Sequence, residues 1–415
     1  MVNGFIAIIC KKFNIIPPII LNFAILKFPR RHLLIYLFQV TCAVPQLCPG
    51  FSSKNLKNLY LYKMTDANQT WDLFTLKREY ELGQKRSNGY QLFDKSYDIS
   101  EPIVSKQLYS SGFRPSYPEE KKFAVCLSHD IDTLFYNVSP IKFADHLLRD
   151  VVKSRWPESK RRTKSYFKKK KFAYENIESI LNVEQKYKAK STFFFLSLLE
   201  KEPDYNYSLE QITDIFNLID DNGCEIGLHG GHEAFDSIDK MALEKKQLEQ
   251  SIGKSVTGYR NHYLKFDIPS SWDFLAKNKF KYDTTLGYPN ALGFRNGMCY
   301  PFQPYNREQG CFSDILEIPM IIMDVTLWRY MNLNLSQAFD HCKALIDCVA
   351  KLNGVITLNW HNVYFYDEQK SLYEAILKYC NQENAWLTSC DSLASWWLEK
   401  KYVQNYFTPE QLNNH

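Results

Sequence analysis

The chain has 415 residues, enough for one large domain or two modest ones. Its apolar content is ordinary and aromatics are plentiful, so a sizeable core forms without help from disulfides or a structural metal. A net charge of +5 is too mild to argue for nucleic acid as a partner. The eleven cysteines include no Cys-x-x-Cys pair, so they read as reduced thiols in a reducing, cytoplasmic setting. Cys126, inside an apolar run, reads as a small core residue.

In chain order, residues 1–63 come first. "FNIIPPIILNFAIL" is apolar but broken by Pro17-Pro18, and "RRHLLIYLFQVTCAVPQLCPG" sets basic residues ahead of an apolar run. Two readings stay open: a leader upstream of a start at Met64, or a signal or anchor that directs secretion or membrane attachment. Residues 64–120 form a small N-terminal extension, polar and Tyr-rich, closed by the turn chemistry of "GFRPSYPEE". From Phe123 the pattern changes. "FAVCLS", "KSTFFFLSLL", "CEIGLH", "VTGYRNHYL", "KYDTT" and "VITLNWH" read as strands. Between and after them, "ENIESILNVEQKY", "LEQITDIFNLIDDNG", "DKMALEKKQLEQSIG", "SSWDFLAKNKF", "LSQAFDHCKALIDCVAKLNG", "SLYEAILKYCNQ" and "SLASWWLEKKY" read as helices, with Gly223 a C-cap. Strands alternating with helices imply an α/β fold with a parallel sheet, most economically a barrel or partial barrel. Residues 401–415 are a C-terminal tail.

One segment is strongly biased. Residues 153–172, "KSRWPESKRRTKSYFKKKKF", hold ten basic residues against Glu158 alone. They read as a solvated loop or helix face, or as a contact with an anionic surface such as an acidic glycan or a membrane headgroup layer.

In parallel α/β folds, function gathers at the carboxyl ends of the strands. The first strand ends in Asp130 and Asp132, which lie two apart and so share a face; such a pair can also cap a turn. "CEIGLH" ends in His229, followed by Gly230, Gly231 and His232, which puts two of nine histidines within four residues. Imidazole with carboxylate is ordinary ligation for a first-row metal. The next strand ends in Arg260 and His262, and an Arg there suits a carboxylate partner. "VITLNWHN" ends in His361, a residue type that titrates near neutrality and suits acid–base work. Together these strands deliver Asp/Asp, His/His, Arg/His and His to one rim, the donor set of a metal-assisted hydrolase.

With these motifs in place, the chain resembles the polysaccharide deacetylases, carbohydrate esterase family 4, over roughly residues 120–400. That resemblance implies a distorted (β/α) barrel over residues 121–400 and a hydrolase that removes acetyl groups from N-acetylated sugars. "SHDID" is similar to the family's first motif, making Asp130 the catalytic base and Asp132 a metal ligand; here Ile131 separates aspartates that are commonly adjacent. "GLHGGH" resembles the second motif, whose histidines stand four apart. His229 matches the first ligand, while Glu233 occupies the fourth place and His232 falls one short. "GYRNHYLKF" is similar to the third motif, whose Arg steadies the base, here Arg260. A bacterial surface-polysaccharide subgroup carries a His where His262 stands, so His232 and His262 both stay open as the third ligand. The resemblance further implies a divalent metal, Zn2+ first; Arg295 as a sugar contact; and His361 as the leaving-group acid. Trp360, an aromatic near the rim, suits stacking on a sugar ring. Two competing readings remain: a metal-independent amide hydrolase on the same barrel, and a carbohydrate-binding protein without catalysis.

Overall fold

The computed structural model describes residues 67–83, 89–136 apart from 94 and 96, 138–152, 156–167 and 176–406. The expectations for the leader 1–63 and for most of the tail 401–415 fall outside these residues.

The sheet is built around β1 (Phe123–Ile131), nine residues buried throughout. A run apolar on both faces is what a parallel strand covered on both sides requires. β2 (Thr192–Leu196), β3 (Glu225–Gly230), β4 (Gly258–Asn261) and β5 (Tyr282–Asp283) follow. A separate antiparallel pair, β6 (Tyr305–Asn306) and β7 (Cys311–Phe312), leads into β8 (Leu316–Glu317). β9 (Ile322–Met323), β10 (Val355–Asn359) and β11 (Ala385–Thr388) complete the set. The hydrogen-bonded order is β8-β5-β4-β3-β2-β1-β10-β9, with every pair parallel, and β11 runs beside the first half of β1.

The two edges of this order, β8 and β9, are joined by residues 318–321 alone. So short a link spans less than about 20 Å. The sheet therefore curls until its edges nearly meet, giving a barrel with one unpaired seam. This is the distorted barrel expected from the sequence.

Helices Ile177–Gln185, Thr213–Asp221, Ile238–Ile252 and Ser270–Lys277 fill the crossovers from β1 to β5, and Leu335–Ala350 and Asp367–Gln382 those around β10. Their ends follow ordinary capping chemistry. The Ser237 side chain accepts from the Lys240 N–H, and Asn334 and Gln337 form a reciprocal box. Helix Leu335–Ala350 buries Ala338, Cys342, Leu345 and Val349, one stripe at helical spacing.

Several features escaped the sequence pattern, helix Pro140–Val152 and the β6–β7 pair among them. The extension contains short helices, Ala67–Phe74, Lys77–Gly83 and Ile103–Ser110, whose Trp71, Phe74, Val104 and Leu108 join the main core. Elements of seven or eight residues are too short for a periodic signal. β8 and β9 are two residues each with Pro319 between them, and β11, four residues long, falls between the two last helical patterns without a signal of its own.

Candidate active site

β1 keeps its pleat through Ile131, so Asp130 and Asp132 do emerge on one side, at the carboxyl rim. Asp130 is buried. Its Oδ1 accepts from Arg260 Nη1 at 2.7 Å and its Oδ2 from Asn359 Nδ2 at 2.8 Å. Arg260, itself fully buried, also donates to Asn359 Oδ1 at 2.8 Å and to the Thr284 carbonyl at 3.2 Å. Burial opposes charge on Asp130, but the Arg260 guanidinium outweighs it and holds the carboxyl below its ordinary range.

Asp132 Oδ1 is buried and has no hydrogen-bond partner. It lies 3.2 Å from His229 Nε2 and 3.4 Å from His262 Nδ1, and those two nitrogens are 3.1 Å apart. The tautomers follow from the other ring atoms. His229 Nδ1 sits 3.0 Å from the Arg260 carbonyl, which can only accept, so that nitrogen carries the hydrogen and Nε2 presents a lone pair. His262 Nε2 faces Asp204 Oδ2 at 3.4 Å, which leaves the His262 Nδ1 lone pair facing inward. Three lone pairs thus converge on one point. Tetrahedral ligands about 2.0–2.1 Å from a zinc ion stand about 3.3 Å from one another, the spacing found here. The donor set and its geometry fit a divalent cation.

His361 closes the other side. Its Nδ1–H donates to Asp324 Oδ1 at 2.6 Å, and its backbone N–H to Asp324 Oδ2 at 2.8 Å. Its Nε2 lies 3.8 Å from Asp130 Oδ2 and 3.7 Å from Asp132 Oδ2. Burial works against the imidazolium, yet Asp324 foremost, with Asp132 and Asp130, pushes His361 up to about 10. The shift favours the protonated imidazole. Asp132 is a quarter exposed, so the cluster opens to solvent on its side.

His262, rather than His232, groups with Asp132 and His229. His232 does not reach Asp132. It pairs instead with Asp204 Oδ2 at 2.8 Å, in a second group made by Asp204, His232 and His262. The Gly230-Gly231 turn sets this. Gly230 packs so tightly on Tyr259 that an added Cβ would lie 2.0 Å from its hydroxyl, and the chain carries His232 past the inner cluster. Tyr263 donates to the same Asp204 oxygen at 3.1 Å, so this carboxylate gathers three donors just outside the ligand set.

Two expected substrate contacts are corrected. Arg295 is buried and ion-paired through two nitrogens with Glu79, while its Nη1 donates to the Gly287 carbonyl at 2.9 Å. It ties the N-terminal extension to the barrel. Trp360 is wholly buried, its ring packed on Tyr373, and cannot stack on a sugar. His129 also turns away from the rim: its Nδ1 meets the Trp360 carbonyl at 2.7 Å and its Nε2 meets Glu184 at 2.9 Å.

Sequence reading missed Asp324, Asn359 and Asp204. The signal for Asp324 existed, since "LEIPMIIMD" is an apolar run ending in a carboxylate, as β1 does. Asp204 lies in a loop and carries no pattern.

No family model matches this sequence, and no curated protein matches it. Among solved structures, the chain is similar to a Mycobacterium smegmatis protein assigned to the polysaccharide deacetylases: 17% identity, TM-score 0.48, over 69% of this chain and 94% of that one. It is similar to the allantoinase PuuE at 13% identity and TM-score 0.49, over 74% of this chain and 98% of that one. A polysaccharide deacetylase from Bacillus cereus shows 12% identity and TM-score 0.36, over 64% of this chain and 91% of that one. What the rim residues do is read below from their own geometry.

Proposed function

We propose that the rim is the active site of a hydrolase of the polysaccharide deacetylase type. It removes acetyl groups from N-acetylated sugars of a surface polysaccharide or its precursor, with zinc held by Asp132, His229 and His262. The observation that carries this reading is the pairing of two opposed groups across one cation-shaped cluster. Asp130 is kept ionised by Arg260, and His361 is kept protonated by Asp324, with 3.8 Å between them.

A bound divalent ion there supplies a Lewis acid and a water whose pKa falls towards about 7. The protein groups do the rest. Asp130 uses two of its acceptor positions on Arg260 and Asn359 and keeps others free to take the proton of the attacking water. Arg260 aims that carboxylate and holds it charged. His361, oriented by Asp324 through two hydrogen bonds, donates the proton that an amine leaving group needs. The products are acetate and a free amino sugar.

Acetate release from N-acetylglucosamine oligosaccharides tests the assignment. Asp130→Asn should lower the rate by about 10²–10⁴ while leaving the bound metal in place. Near-normal turnover in that variant removes Asp130 from the role of base. A second reading is supported by the 3.1 Å contact between His229 Nε2 and His262 Nδ1, which a shared proton could bridge in place of a cation. It makes the protein a metal-independent amide hydrolase. Turnover that survives exhaustive chelation would favour it.

A further inference from the structure

The described part of the basic segment, helix Trp156–Phe167, is half of a helical hairpin that the rim chemistry does not use. Helix Pro140–Val152 packs one face on helix Trp156–Phe167. The Phe143 and Tyr166 rings stack at 4.0 Å, and Arg162 pairs with Asp150 at 3.2 Å. The opposite face is left bare. Ile141 is 83% exposed, Leu148 64% and Val152 74%, and Val151 is exposed beside them. With exposed Ala144, residues 141, 144, 148 and 151 form one stripe at helical spacing. The partner helix exposes a stripe of its own, in which Trp156 and Phe167 flank Lys160 and Lys164. Among the described residues, six of the thirteen exposed large apolar side chains thus fall between residues 141 and 167. A stable soluble face does not cluster them so.

We propose that this hairpin is a docking surface for an anionic lipid bilayer. An aqueous protein partner would call for an apolar groove with balanced charge. Here an apolar stripe sits beside a helix whose sequence holds Lys160, Arg161, Arg162 and Lys164 against Glu158, and the sequence on either side of that helix is basic as well. That is the make-up of helices that lie in a membrane interface: aliphatic and aromatic side chains enter the acyl boundary while lysines meet the headgroups. Among the described residues no helix is long and apolar enough to cross a membrane, so the hairpin would lie on the bilayer rather than span it. It begins shortly after Asp132, where the chain leaves β1 at the catalytic rim.

Sedimentation of the full chain with phosphatidylcholine vesicles containing about 30% phosphatidylglycerol tests this, compared with vesicles of phosphatidylcholine alone. The expected result is binding to the anionic vesicles that weakens at least about tenfold in Leu148→Glu, and again in a Lys160→Glu, Lys164→Glu pair, and that also falls as salt rises. All these side chains are exposed, so the variants fold; unchanged turnover and circular dichroism check this. The substitutions leave residues 1–66 untouched, so vesicle affinity carried by that segment survives them and counts against the hairpin. Equal binding to neutral vesicles overturns the proposal, as does a dimer that Leu148→Glu dissociates without any vesicle binding.

Discussion

Carboxyl groups sit at both ends of this barrel, one buried and one half-buried, and the two ends treat them in opposite ways. At the carboxyl rim Asp130 faces Arg260, Asn359 and two imidazoles, and stays ionised. At the amino end of β3, Glu225 meets Thr192 at 2.6 Å, the Tyr282 hydroxyl at 2.8 Å and the Asp391 N–H at 2.9 Å, with no cation of its own. Burial, reinforced by the Asp391 carboxylate, pushes Glu225 up to about 7. A half-buried acid that is merely structural can neutralise itself. One held charged at the cost of a buried guanidinium marks chemistry.

The strongest way to break this contrast is at His361. His361→Ala should slow amide hydrolysis by about 10²–10⁴ and slow an activated ester far less, because a good leaving group needs no acid. Equal losses on both substrates remove His361 from the acid role. Next comes Asp204, which holds His262 from outside. Asp204→Ala should weaken metal binding by about 10–100-fold, read by competition with a chelating dye. Unaltered affinity would show that the outer carboxylate does nothing for the ligand. The smallest effect belongs to the quiet end. The folded-state value of Glu225 lies above its ordinary 4.5, so its contribution favours folding below that pH and is lost as pH rises through about 7. Glu225→Gln cannot ionise. Urea denaturation should show the variant losing less stability than wild type between pH 5 and pH 8, by about 1–3 kcal/mol, with turnover unchanged. Parallel losses in both proteins would place the alkaline sensitivity elsewhere.

What the sequence disclosed, and what it did not, follows the same physics. A fully buried parallel strand is a run of apolar residues, so β1 and β10 stand out, and so do Asp130, Asp132 and His361, where such runs stop. The third ligand could not be chosen from spacing, because His232 and His262 differ only in how the Gly230-Gly231 turn and the exit from β4 aim their rings. Arg295 and Trp360 look like groove residues as letters. Burial, and a partner in Glu79 more than two hundred residues away in sequence, decide otherwise. Asp204 reaches His262 from a loop, where no periodicity records position.

The proposed function turns on a cation shared by Asp132, His229 and His262. Metal content measured on purified wild type, His262→Ala and His232→Ala tests that directly. The expected result is one zinc per chain in wild type and in His232→Ala, and none retained in His262→Ala. A wild type without metal, or an ion lost with His232 and kept without His262, would contradict it.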